Sequence, residues 1–283
     1  AMRKANPVTQ CLTNIVVTNF TANVLLAAGA SPAMVDNAQE SGIFAQVAGG
    51  VLVNSGTPYP ETAEAMKQAA GTAAGKWVLD PVACTLPWRG QIVRDCLAAS
   101  HPAIIRGNAS EILALHGTGE GGRATVAVDT TEAALPAARE LARANECVVA
   151  VSGPVDRITD GTRVATVTAG HEWMTLVTGV GCSLGALMAA FAAAESDRLV
   201  AATAATAMMC VAAERAARRT VAPGSFAIAL IDELYLVTPD EAAVMLTERH
   251  GPTYRKVIKR MGDDGWLGVG WPTEYGGKGF GHL

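Results

Sequence analysis

The chain has 283 residues, half of them hydrophobic and only 17% charged, with a formal net charge of −4. This is ample for a large core, in one big α/β domain or two smaller ones. No run of Lys and Arg is present, which argues against a nucleic-acid partner. The six cysteines, at positions 11, 84, 96, 147, 182 and 210, show neither Cys-x-x-Cys nor zinc-ligand spacing, so reduced thiols in a cytoplasmic protein are expected, without structural zinc.

Taken in chain order, "MRKANPVTQCLTNIVVTNFTANVLLAAGA" begins basic and turns partly apolar. Asn14, Thr18, Asn19, Thr21 and Asn23 interrupt it, so an amphipathic helix over about 14–28 is expected rather than a secretory leader. No uninterrupted run of about 18 apolar residues occurs, so no membrane span is expected. "GVLVNSG" (50–56), "KWVLDPV" (76–82), "PAIIRGN" (102–108) and "ECVVAVSG" (146–153) have the pattern of buried parallel strands ending in turn residues. Helical stretches lie between them: "PETAEAMKQAAGTAA", "WRGQIVRDCLAAS", "SEILALHG" and "TTEAALPAARELARAN". The alternation predicts a mostly parallel sheet flanked by helices. Asp160-Gly161, inside "VDRITDGTRVATVTAG", signals a hairpin. Three helices are then expected, over 182–194, about 198–219 and 225–236. Beyond about residue 250 the composition changes: Tyr254, Trp266, Trp271, Tyr275 and Phe280 sit among many glycines. A domain of residues 1–249 and an atypical, non-independent tail of residues 250–283 are expected.

In parallel α/β sheets, ligands bind at the C-terminal ends of the strands. By this pattern Asp80 closes "WVLD", Arg106, Gly107 and Asn108 close "AIIRGN" just ahead of Glu111, and Ser152 closes "CVVAVS". Each residue also has a structural explanation: a turn former before Pro81, an ion pair, a helix-dipole carboxylate, a turn hydroxyl. "LVTGVGCSLGALMAAF" (176–191) sets Gly179, Val180, Gly181 and Cys182 at a helix mouth. The unpaired amides of a first helical turn bind anions, phosphate above all, and are expected to depress the Cys182 thiol pKa. There is no P-loop, no dinucleotide fingerprint in strand–helix context and no Gly-x-Ser-x-Gly elbow.

"LTNIVVTNFTANVLLAAGASPAMVDNAQE", "LDPVA", "IIRGNASEI", "VSGPVD", "VTGVGCSLGALMAAF" and "FAIALIDELYLVTPDE" together resemble the hydroxyethylthiazole kinase family, in order from about Asn6 to Glu248. The resemblance implies a ribokinase-like α/β fold, with helices on both faces of a mostly parallel central sheet. It implies ATP-dependent phosphorylation of the hydroxyl of 4-methyl-5-(2-hydroxyethyl)thiazole, with Mg²⁺, in a homotrimer with active sites between subunits. Carried over by motif, Met34 and Gly179 would contact the thiazole, and Arg106 and Ser152 would hold ATP. Asp80 and Glu111 would organise Mg²⁺. Gly179, Val180, Gly181 and Cys182 would form an anion hole for the transferred phosphoryl group. Cys182 stands where related sugar kinases place an aspartate base. The alternatives are a hydroxymethylpyrimidine kinase and a catalytically inert scaffold. The tail "YRKVIKRMGDDGWLGVGWPTEYGGKGFG" resembles the N-terminal helical region of acyl-CoA dehydrogenases.

Overall fold

Parallel strands that are buried on both faces dominate the architecture, as the unbroken apolar runs of the sequence require. The structure is a computed structural model and describes residues 1–117 and 130–237. One unit spans Ala1–Leu236. The tail of residues 250–283, and the expected boundary before it, lie outside the described residues.

Eight strands form one sheet: β1 (Val8–Leu12), β2 (Ser31–Ala33), β3 (Gly50–Asn54), β4 (Trp77–Asp80), β5 (Ile104–Asn108), β6 (Val148–Ser152), β7 (Asp156–Thr159) and β8 (Val164–Val167). Their order is β2-β1-β3-β4-β5-β6-β7-β8. All pairings up to β5–β6 are parallel, and β6–β7 and β7–β8 are antiparallel. The Asp160-Gly161 hairpin is therefore present, between β7 and β8.

Ten α-helices are described. α3 (Ser41–Val47), α4 (Pro60–Thr72), α5 (Pro87–Ala99), α6 (Ala109–His116) and α7 (Thr131–Ala144) contribute to the core on one face. α2 (Thr18–Ala28), α8 (Val180–Ala194), α9 (Arg198–Arg218) and α10 (Pro223–Leu236) pack together on the other, and the short α1 (Met2–Ala5) touches α8. The period of two along β3 sorts its side chains between these layers. Val51 and Val53 join the first core, while Leu52 faces Gly185 of α8. α9 is long and apolar enough, by length and composition, to cross a bilayer, but 78% of that stretch is buried within this fold.

Local chemistry sets the helix starts. Pro60 and Pro87 occupy first helical turns, where a missing N–H costs nothing. Asp197 caps α9 through the Leu199 and Val200 amides. The Asn108 side chain accepts from Glu111 N while Glu111 accepts from Asn108 N, a reciprocal capping box that opens α6.

Besides the short α1 and a 3-10 turn at Glu172–Leu176, three elements are not anticipated by the sequence patterns. β1 carries Thr9 and Gln10 fully buried in its middle, so it lacks an apolar run. β2 is three residues long and contains Pro32, and α3 is seven residues long with Gly42 in its first turn. The expected helix over 14–28 begins only at Thr18. Residues 14–17 instead form a turn, closed by Val17 N–H donating to Asn14 O at 3.2 Å, and this frees Asn14 for the site.

Candidate active site

Because β1 and β3–β6 run in one direction, their C-terminal ends lie along one edge of the sheet. Register then decides which side chains meet: Asn54 of β3 stands opposite Asp80 of β4, and Asn108 of β5 opposite Ser152 of β6. Asp80 is completely buried. Its Oδ2 accepts from Asn54 Nδ2 at 2.7 Å, and both carboxylate oxygens lie 3.4 Å from Arg106 Nη1. Arg106 also donates through Nη2 to Ser152 Oγ at 3.0 Å. Asn14, from the turn after β1, donates through Nδ2 to Asn54 Oδ1 at 3.2 Å and lies 3.4 Å from Cys182 Sγ. One connected polar network therefore joins the thiol, two buried amides, a carboxylate, a guanidinium and a hydroxyl.

α8 supplies the other wall. Gly179 adopts φ +100°, a left-handed conformation that favours glycine, and a Cβ there would lie 3.0 Å from Val17 Cγ1. A Cβ on Gly181 would lie 3.2 Å from Arg106 Nη1. The helix mouth thus sits directly against the guanidinium, and the first-turn amides, which lack intrahelical acceptors, open at the same place. An anion here would meet helix dipole and guanidinium together.

The electrostatics follow from burial. Burial raises the Asp80 carboxyl above its ordinary range, against the opposing pull of Arg106 and Asn54. Glu111 is raised as well, first by burial and then by the Asp80 charge. Burial by itself would lower Arg106, but Asp80, Glu111 and Cys182 carry it above its usual value, so it stays protonated. For Cys182 the expectation of a depressed thiol is wrong. Burial raises it first and the Asp80 charge adds to this, outweighing Arg106 and the amide donors Asn54 and Asn14. The helix mouth is real, but a neighbouring carboxylate and desolvation win. All six cysteines are free.

Among the expected site residues, Asp80, Arg106, Glu111, Ser152, Gly181 and Cys182 gather here, with Gly179 and Val180 at the start of α8. Met34 follows β2 at the same end of the sheet and is half-buried. The loop after it is held by β1: Gln10 Nε2 donates to Val35 O at 2.8 Å and to Ser41 O at 3.1 Å. A cavity of about 560 Å³ lies among the loops that follow β3 and β4, lined by Thr57, Pro58, Tyr59, Leu86, Pro87, Trp88 and Arg89. Asn14 and Asn54 join the site without being among the expected residues. Asn54 closes an apolar strand with a polar residue just as Asp80 does, and that was the available signal.

An open, mostly parallel sheet with helices on both faces, and a polar network at its carboxyl edge beside the mouth of α8, form a ribokinase-like fold, the class of small-molecule kinases. A ribokinase-like superfamily protein from Enterococcus faecalis superposes with TM-score 0.57 at 12% identity over 83% of this chain and 88% of that one, a likeness of fold alone. The hydroxyethylthiazole kinase protein from Pyrococcus horikoshii OT3 superposes with TM-score 0.78 at 34% identity, covering 87% of this chain and 94% of that chain. A hydroxyethylthiazole kinase from Cutibacterium acnes is 61% identical over 243 residues, 85% of this chain and 88% of the relative. The model of the hydroxyethylthiazole kinase family matches residues 1–240, and the chain belongs to that family. Residues 236–283 match the model of the acyl-CoA dehydrogenase N-terminal domain. These matches favour the thiazole enzyme over a pyrimidine kinase or an inert scaffold.

Proposed function

We propose that the chain transfers the γ-phosphoryl group of ATP to the hydroxyl of 4-methyl-5-(2-hydroxyethyl)thiazole. The observation that carries this reading is the Asp80–Arg106–Ser152 chain of contacts set against the mouth of α8. It offers a permanently charged donor and a hydroxyl to phosphate oxygens, beside helix amides for the group in flight.

Phosphoryl transfer passes mostly through a loose transition state, in which positioning and charge neutralisation do most of the work. Arg106 and Ser152 hold ATP in this reading, and Gly179–Cys182 surround the transferred group. Met34 and Gly179 contact the thiazole. Cys182 is a neutral thiol that orients the acceptor hydroxyl, in keeping with its raised pKa. A strong base is dispensable when the alcohol loses its proton late.

Asp80 and Glu111 suit Mg²⁺. Asp80 is fully buried and Glu111 partly so, and beyond burial the Asp80 charge raises the Glu111 carboxyl, an excess of negative charge that a cation relieves. Among the described residues no group of three or more His, Cys, Asp or Glu is placed to hold a metal ion, so phosphate oxygens and water would have to complete its coordination. When bound, Mg²⁺ neutralises phosphate charge.

The homotrimer and the cytoplasmic location belong to the same proposal. Exposed Ile15, Val16, Ile43 and Val47 support subunit contact, and the free cysteines support a reducing compartment. The test is ATP consumption by the purified chain with the thiazole alcohol and, separately, with hydroxymethylpyrimidine, alongside light scattering for the assembly. Turnover confined to the thiazole supports the proposal; turnover of the pyrimidine alone, or of neither, overturns it.

A further inference from the structure

One buried carboxylate outside the network just described is tied to it through the backbone. Asp156, the first residue of β7, is 8% exposed. Its Oδ1 accepts the Gly153 N–H at 3.0 Å, and its Oδ2 lies 3.7 Å from Cys210 Sγ of α9. Both carboxylate oxygens thus face donors. Gly153 directly follows Ser152, whose Oγ accepts from Arg106 Nη2 at 3.0 Å. On the far side of the same turn, Thr131 Oγ1 donates to Val155 O at 2.6 Å. A Cβ at Gly153 would lie 2.6 Å from Thr131 Cγ2, so the turn packs closely against the start of α7 and only glycine fits there.

We propose that Asp156 is a positioning residue for the nucleotide: by holding the Gly153 amide it places the Ser152 hydroxyl, and through it the plane of the Arg106 guanidinium. The inference rests on the reading of Arg106 and Ser152 as the ATP-holding pair. A residue acting this way affects the nucleotide and leaves the acceptor alone. Its effect also vanishes when Ser152 is already gone, because the two lie on one path. A merely structural residue shows neither property.

The experiment measures ATP affinity by calorimetry, and steady-state rates with Mg-ATP and the thiazole alcohol, on the full chain. Asp156→Ala is expected to weaken ATP binding and raise its KM about tenfold, with the thiazole KM within about twofold. Asp156→Asn keeps an acceptor for Gly153 and is expected to recover ATP affinity to within about threefold of the parent. Adding Asp156→Ala to Ser152→Ala is expected to cost less than about twofold more. Should Asp156→Ala fail to fold, Asp156→Val, which also lacks an acceptor, takes its place with the same expectation. A folded variant with unchanged ATP affinity, or losses that add fully in the double variant, overturns the proposal. If the parent chain binds ATP without phosphorylating the thiazole, only the acceptor reading fails, and the binding measurements still decide the role of Asp156. If the parent does not bind ATP at all, both readings fall.

Discussion

Asn54 gives its side-chain amide to Asp80 at 2.7 Å, across neighbouring parallel strands whose register sets the two residues opposite one another. The same asparagine accepts from Asn14 and from the Gly56 backbone N–H. It is the point where the thiol side of the network meets the carboxylate side.

Replacing Asn54 by Ala strands the buried partners Asp80 and Asn14. A loss of about 1–3 kcal/mol in stability is expected, the usual cost of leaving a buried polar group unpaired. A fall in kcat of about 100-fold should accompany it, as both groups lose their aim. Urea denaturation and initial rates check the two effects separately. An active variant with parental stability would show that the network does not depend on this amide.

Cys182→Ser should retain activity within about tenfold of the parent, because a hydroxyl can orient the acceptor alcohol as the neutral thiol does. Asp80→Asn and Arg106→Ala should each lose about 1,000-fold, since they remove charge from the phosphate end. Steady-state rates on the three variants decide the ranking. A folded Cys182→Ser with no turnover would make thiol chemistry obligatory.

Gly181→Ala brings a methyl group to 3.2 Å from Arg106 Nη1. The guanidinium has to move, so ATP affinity should fall about tenfold with little change in melting temperature. Gly179→Ala acts differently, because it places a side chain at φ +100° and 3.0 Å from Val17. That variant should lose about 1–3 kcal/mol of stability. Paired calorimetric titration and thermal melts separate the two; equal destabilisation by both would contradict the local geometry.

Burial raises the Asp156 carboxyl from 3.8 to about 6, against the Gly153 amide, Arg106 and Cys210. An acid that holds its proton more tightly folded than unfolded stabilises the fold fully below its unfolded value. That contribution is lost as pH rises through about 6. The full effect is at most about 3 kcal/mol. Asp156→Asn should therefore exceed the parent in stability at pH 8, with the gain shrinking towards pH 4. Urea midpoints across that range test it, and a difference independent of pH would place the carboxyl in a less buried setting.

Much of this protein was legible in the residues alone. Apolar runs closed by polar residues marked β3 to β6, because a strand buried on both faces has no room for alternation. The Asp-Gly pair marked the hairpin, and glycines before Cys182 marked the mouth of α8. Asp80, Arg106 and Ser152 could be placed at one edge because parallel strands end together. Tertiary structure alone decided what those residues do to each other. The register of β3 against β4 set Asn54 against Asp80, a pairing that its place at the end of an apolar run does not reveal, and the turn after β1 brought in Asn14, which has no local signature. The state of Cys182 was decided in the same way. A helix mouth favours a thiolate, and only the folded chain buries that thiol and adds the Asp80 charge nearby, which together reverse the preference.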